Sequence, residues 1–147
     1  MDAPPCLAAL LLLPALALGA CGQTTKDSAG KFQGEQKAVA QTVESLQEAG
    51  RKGDAKKICT QLLAPSLVAR ITQSSHKGCD PALKDALSDA DAFELQVQKV
   101  TVQGDRAVAV VESQAGSKKR TDTLELQRVG RAWKIASLGT AGAAPQS

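Results

Sequence analysis

The 147-residue chain contains no Tyr and no Asn, one His, one Trp and two Phe. With so few rings it has no pair of aromatics placed to stack bases, and its formal charge of +3 is too mild to imply a nucleic-acid partner. The shortage of Tyr, Asn and His also removes the side chains that most often act as acids, bases and oxyanion donors. No Ser-His-Asp or Cys-His set can be assembled around the single His76. His76 reads instead as an exposed loop residue. One His beside one Cys does not make a zinc site, and no close Cys pair is present, so neither a metal nor another cofactor is expected. Long apolar runs are also missing. The longest, Leu7 to Leu18, falls short of the roughly 20 residues that a membrane-spanning helix needs.

That run does have the length of a secretory core, and it stops on Gly19, Ala20 and Cys21. The sequence Leu18-Gly19-Ala20-Cys21 resembles the lipobox of bacterial lipoproteins. There the thiol takes a diacylglyceryl group, and small neighbours let a peptidase reach the backbone before the cysteine. The resemblance implies a signal peptide over 1–20, acylation at Cys21 and a location at the cell membrane, on the extracytoplasmic side. Two or more acyl chains hold a protein stably where one does not. "MDAPP" lacks the Lys or Arg of a normal n-region, which places the expected translation start upstream. A plain secretory peptide and a buried apolar helix are the competing readings of this segment.

Without residues 1–20 the chain would keep 18 Lys and Arg against 14 Asp and Glu, and enough length for one domain. Of four cysteines, Cys6 would leave with the signal and Cys21 would carry lipid. Cys59 and Cys79 remain, an even pair that in an exported domain reads as a disulfide. Residues 21–34, with Cys21 at their head, are polar and glycine-bearing and read as a flexible tether. Within them Phe32 is the one large apolar residue that could tuck against the domain. Residues 140–147 read as a loose, disordered tail.

Between them, residues 35–139 change period once. Val39, Val43 and Leu46 share one helical face. Asp54 can cap a second helix with Ile58, Cys59 and Leu62 inward, Pro65 opens a third, and Asp80 with Pro81 starts a fourth. From Phe93 the period becomes two. Phe93, Leu95 and Val97 share a face, and the parity then flips to Val100 and Val102, which predicts a bulge near Gln98 and Lys99. "RAVAVVE" suits an inner strand, the loop "AGSKK" leads to a strand with Leu124 and Leu126, and the Gly130 turn leads to one with Trp133 and Ile135. "KKR" at Lys118 to Arg120 reads as a solvated hairpin tip. The fold class is α+β, with helices laid on one face of a bent antiparallel meander.

The stretches "GDAKKICTQLLAPSLVARI", "CDPAL", "VQKVTVQGDRAVAVVES" and "RAWKIASLG" resemble the nuclear-transport-factor-2-like, or cystatin-like, superfamily, in particular its small exported lipoproteins of unknown function. The resemblance implies a curved sheet wrapped around a helix, a cone with a mostly apolar mouth. Phe93, Leu95, Val97, Leu126, Trp133 and Ile135 are then its candidate pocket or core. Enzymes on this fold isomerise or cyclise small molecules with an Asp or His base and a Tyr or second acid. Asp54 and Asp80 have capping to do, and Asp105, Asp122, Glu112 and Glu125 read as solvated, so a non-enzymatic role is expected. The expectation is a lipid-anchored binding domain of the cell envelope that holds an apolar small molecule or lipid. The alternative is a docking or dimerising module whose sheet presents Gln96, Gln98, Gln127 and Lys134 to an envelope protein or to a second copy. An isomerase or cyclase ranks below both.

Overall fold

The computed structural model of the protein describes residues 28–88, 94–115 and 117–139. The signal segment 1–20, Cys21, Phe93 and the tail 140–147 lie outside the described residues. Helix α1, Gly34–Arg51, buries Val39, Ala40, Val43, Leu46, Gln47 and Ala49, the face set by the apolar period. Asp54 caps α2, Ala55–Lys57, by accepting the Lys57 N–H at 2.9 Å. The chain then widens into a π-helical turn, Ile58–Leu62, which buries Ile58 and Leu62. Helix α3, Pro65–Ser75, has Pro in its first turn, where the missing N–H costs nothing. It ends on His76, left-handed at φ 53° and exposed. Helix α4, Cys79–Ser88, starts earlier than the Asp80 cap predicts, since Ala82 N–H already bonds the Gly78 carbonyl. Asp80 sits in its first turn and pairs with Lys84. Cys59 and Cys79 are disulfide-bonded and tie the π turn to α4. No helix among the described residues is long and apolar enough to cross a membrane.

The second half is a four-stranded antiparallel meander in the order β1-β2-β3-β4: Glu94–Gln103, Arg106–Ala115, Lys118–Val129 and Ala132–Gly139. The β1 register slips between Val97 and Lys99, which places the expected bulge at Gln98. Gly104 and Gly130, both at positive φ, make the two tight turns that close the β1–β2 and β3–β4 hairpins. Lys118 and Lys119 belong to β3 and not to a loop. A second irregularity, between Glu125 and Leu126, leaves Ala136 unpaired in β4. Two bulges in one sheet are a sufficient cause of strong curvature.

The curvature brings both sheet edges to α1. Along β1, Gln36 of α1 donates to the Val100 carbonyl at 3.0 Å and Gln47 accepts the Leu95 N–H at 2.8 Å. Along β4, Thr42 of α1 reaches the Trp133 carbonyl at 3.5 Å. Farther along β4, Ala64 N–H bonds the Ile135 carbonyl and Arg70 bonds the Ala136 carbonyl. The edge groups satisfied in this way are not open to another strand.

One expectation is corrected. The carboxy-terminal part of the expected tether is built into the domain: Ser28 Oγ accepts the Val97 N–H at 3.2 Å, and Ala29 N–H donates to Glu44 Oε1 at 2.7 Å. Ala29 is buried in a short 3-10 turn, Ala29–Lys31, and Phe32 is half-buried against the core. Isolated hydrogen bonds of this kind carry no period, so a polar, glycine-bearing stretch conceals them.

Candidate functional site

Strand alternation sorts the sheet into two faces. The concave face, toward α1, carries Leu95, Val97 and Val100 of β1, Ala107, Ala109 and Val111 of β2, Leu124 and Leu126 of β3, and Trp133 and Ile135 of β4, all buried. The described candidate residues Leu95, Val97, Leu126, Trp133 and Ile135 are thus brought together in one core, and only Phe93 falls outside the described residues. The convex face carries the predicted polar set, but Lys134 is not free there. Its Nζ donates to the Thr60 and Gln61 carbonyls at 3.3 and 3.1 Å, stapling β4 to the π turn.

The two ends of the concave face differ chemically. At the hairpin end, Trp133 Nε1 donates to Glu35 Oε2 at 2.7 Å, Arg128 Nη2 pairs with the same oxygen at 2.6 Å, and the guanidinium lies 4.7 Å from the indole centroid. The Trp133 hydrogen bond, helped by the hydrogen bond and charge of Arg128, holds the Glu35 carboxyl below its ordinary value against the opposing effect of desolvation. This cluster binds the start of α1 to the β3–β4 hairpin and is structural in character.

The opposite end holds the one buried carboxylate of the sheet. Asp122 pairs across the sheet with Val111 and follows the inward phase of Leu124 and Leu126; the residue is only 8 % exposed. Its Oδ2 accepts from Ser113 Oγ at 3.0 Å and from Arg120 Nε at 2.9 Å. Its Oδ1 is buried and has no hydrogen-bond partner among the described residues. Beside it the apolar surface reaches solvent: Leu138, cross-strand partner of buried Leu124 and therefore on the same face, is 58 % exposed. Leu95, Ser113, Arg120, Asp122, Leu124 and Leu138 form this end.

Asp122 overturns the reading of its side chain as solvated. The signal that finds it is parity: in "TDTLEL" the aspartate occupies the same phase as the two core leucines. The hairpin-tip reading of "KKR" holds for Lys118 and Lys119, which are exposed, the latter paired with Glu112 at 2.9 Å. Arg120 is exposed as well, and its Nε also reaches the aspartate. No group of three His, Cys, Asp or Glu side chains among the described residues is arranged to hold a metal ion.

Solved structures similar to this chain include a SEC-C motif-containing protein from Rhodopseudomonas palustris, at 14% identity and TM-score 0.50, the match covering 83% of this chain and 95% of that one. Also similar are an NTF-2-like protein of unknown function from Shewanella oneidensis MR-1, at 12% identity and TM-score 0.46, covering 70% and 95%, and a de novo designed NTF2-fold protein, at 19% identity and TM-score 0.43, covering 70% and 82%. At such identities the likeness is one of fold alone. No curated protein matches the chain. A family model described as "Putative lumazine-binding" matches residues 34–138. That span runs from the first residue of α1 almost to the end of β4 and takes in both ends of the concave face, so the chain belongs to this family.

Proposed function

We propose that the domain binds a compact, mostly apolar small molecule within the cone and does so while tethered to the outer side of a cell membrane. The observation that carries the ligand reading is the concave face itself. It is aliphatic from the core outward, it meets solvent at Leu138, and its one buried charged group at that end is Asp122. Such a combination, an apolar lining with few convergent polar groups, is the usual make-up of a ligand site. The matched family's description names lumazine, a flat bicyclic molecule, and a ligand of that size and shape is the class we favour.

Binding, not catalysis, is the reading we favour. Tyr is absent, and His76 ends α3 in solvent. Glu35 is held by Trp133 and Arg128, and the Ser113 hydroxyl and the Arg120 Nε–H beside Asp122 are engaged by the aspartate itself. A second reading, docking of an envelope protein or of another copy on the convex face, is favoured by Val108 and Val110, which are only half-buried on the central strand. Native mass spectrometry of the detergent-extracted protein decides between them. A bound small-molecule mass that leaves on unfolding, or uptake of added lumazine by a monomer, is expected. A dimer that arrives empty and takes up no lumazine favours the docking module instead.

The tether rests on the Leu18-Gly19-Ala20-Cys21 pattern and is consistent with a disulfide, which persists in oxidising compartments. Cys21→Ala should move the protein from the membrane to the soluble fraction and remove the acyl increment from its intact mass. A native amino terminus at any other residue, unmodified, would sink the anchoring.

A further inference from the structure

We infer that the ligand of the cone presents a neutral O–H or N–H donor to Asp122 Oδ1, an assignment that rests on the ligand-binding reading above. An ionised carboxylate offers roughly four lone-pair sites. Two donors, the Ser113 hydroxyl and the Arg120 Nε–H, serve Oδ2, and nothing among the described residues serves Oδ1, although that atom is buried. Leaving a buried acceptor unpaired is costly, and the position does not demand an acid. The inward series Asp122, Leu124, Leu126 would continue with any aliphatic residue at no such cost. The other carboxylate oxygen of this kind among the described residues, Asp80 Oδ1, belongs to a side chain 38% exposed at the start of α4, away from the sheet. Of the two, only Asp122 belongs to the concave face of the sheet, at the end where Leu138 is exposed.

Charge narrows the class further. The Arg120 guanidinium already balances the carboxylate at 2.9 Å, so the cluster is neutral as a unit. An anionic group would be repelled by the aspartate, and a second cation would lie against the arginine. A neutral donor meets neither penalty. The rest of the molecule faces Leu95, Leu124 and Leu138, which favour an apolar body. The ligand class is therefore an apolar, ring-sized molecule with one hydroxyl or ring N–H edge, such as a phenol or a lactam.

The test uses 2-naphthol and its methyl ether, 2-methoxynaphthalene, which share an apolar body and differ in the donor. Equilibrium dialysis of the full-length protein in detergent, corrected with a detergent-only compartment, should show the naphthol bound roughly 10-fold or more tighter than the ether. Asp122→Asn, which keeps the shape but turns an amide N–H₂ toward the ligand, should abolish that preference. Equal binding of both probes by the native protein overturns the donor assignment and leaves the cone reading standing, as would occur if only water served Oδ1. An undiminished preference in a folded Asp122→Asn variant also overturns it, because the donor's partner then lies elsewhere. Binding of neither probe overturns the cone reading and this inference together. Should the Asn variant not fold, the comparison of the two probes on the native protein decides.

Discussion

Replacing Trp133 by alanine is expected to destabilise the domain by about 3–5 kcal/mol, the range for a buried large ring cut back to a methyl group. The side chain lies on the concave face of β4 and is 5 % exposed. In a core built mainly from Val, Leu, Ile and Ala, few neighbours can expand to fill the space of an indole. Truncation also unbinds the hairpin end of the cone, because the ring supplies both the Nε1 donor to Glu35 and the surface under Arg128. Urea unfolding followed by circular dichroism measures the loss, and a change below about 1 kcal/mol would show that the core closes without the ring. Trp133→Phe separates the two contributions, since it keeps most of the apolar contact and removes only the donor. The Glu35 carboxyl is held below its ordinary value of 4.5 chiefly by that donor. A carboxyl depressed on folding contributes stability above its unfolded pKa and loses it as pH falls through the folded one. The native protein should therefore lose a small increment of stability on acidification below about pH 4.5, and Trp133→Phe should lose less.

Much of this arrangement is legible in the chain because it follows from local periodicity. The inward face of α1, the parity flip that becomes the Gln98 bulge, the Gly104 and Gly130 turns, the Asp54 cap and the Pro65 helix start each arise within a few residues, where spacing alone fixes which side a residue faces. What escapes depends on contacts across the fold. The 3-10 turn over Ala29–Lys31 is held by a bond from β1 to Ser28 and by bonds to Glu44, and the π turn includes a wide bond from Leu63 N–H to the Ile58 carbonyl. Lys134 reads as an outward polar residue and is one, yet its long side chain reaches back to the π turn. Asp122 lies between these cases: its phase is visible in the sequence, but its charge argues for solvent. Only the β2–β3 pairing, with Val111 opposite, Ser113 two residues on and Arg120 turning back, makes the buried position tolerable. The sequence feature that best marks the candidate site is thus a conflict between phase and charge, a local inconsistency of the kind that gathers at functional positions.

Loss of the Cys59–Cys79 bond is expected to cost about 3 kcal/mol, and the cost should be concentrated in α3 and α4. The bond spans a sequence separation of 20 residues, and closing a loop of that length removes about this much freedom from the unfolded chain. Helix α3, inside the loop, and α4, which starts at its closing cysteine, have little else to hold them. Leu67 is the one fully buried residue of α3 and Cys79 that of α4, while Val68, Ile71, Leu83 and Leu87 are only partly covered. The sheet, by contrast, buries residues on every strand and has groups on both edges bonded by α1 and its neighbours. A Cys59→Ala, Cys79→Ala double variant should therefore melt roughly 10 °C or more below the native protein. Hydrogen exchange should show the amides of α3 and α4 losing protection while those of β2 and β3 keep theirs. The double variant avoids the free thiol that a single substitution would leave. Uniform loss of protection across the sheet would mean that the helices and the meander unfold as one unit and that the bond stabilises both. An unchanged melting temperature, or two thiols of the native protein reacting with maleimide before unfolding, would rule out the bond as the staple of this half. Because α3 also reaches the β4 edge through Arg70 and the Ala136 carbonyl, loosening it should expose the end of β4 that carries Leu138. Reduction should then weaken ligand binding at the cone mouth before it unfolds the sheet.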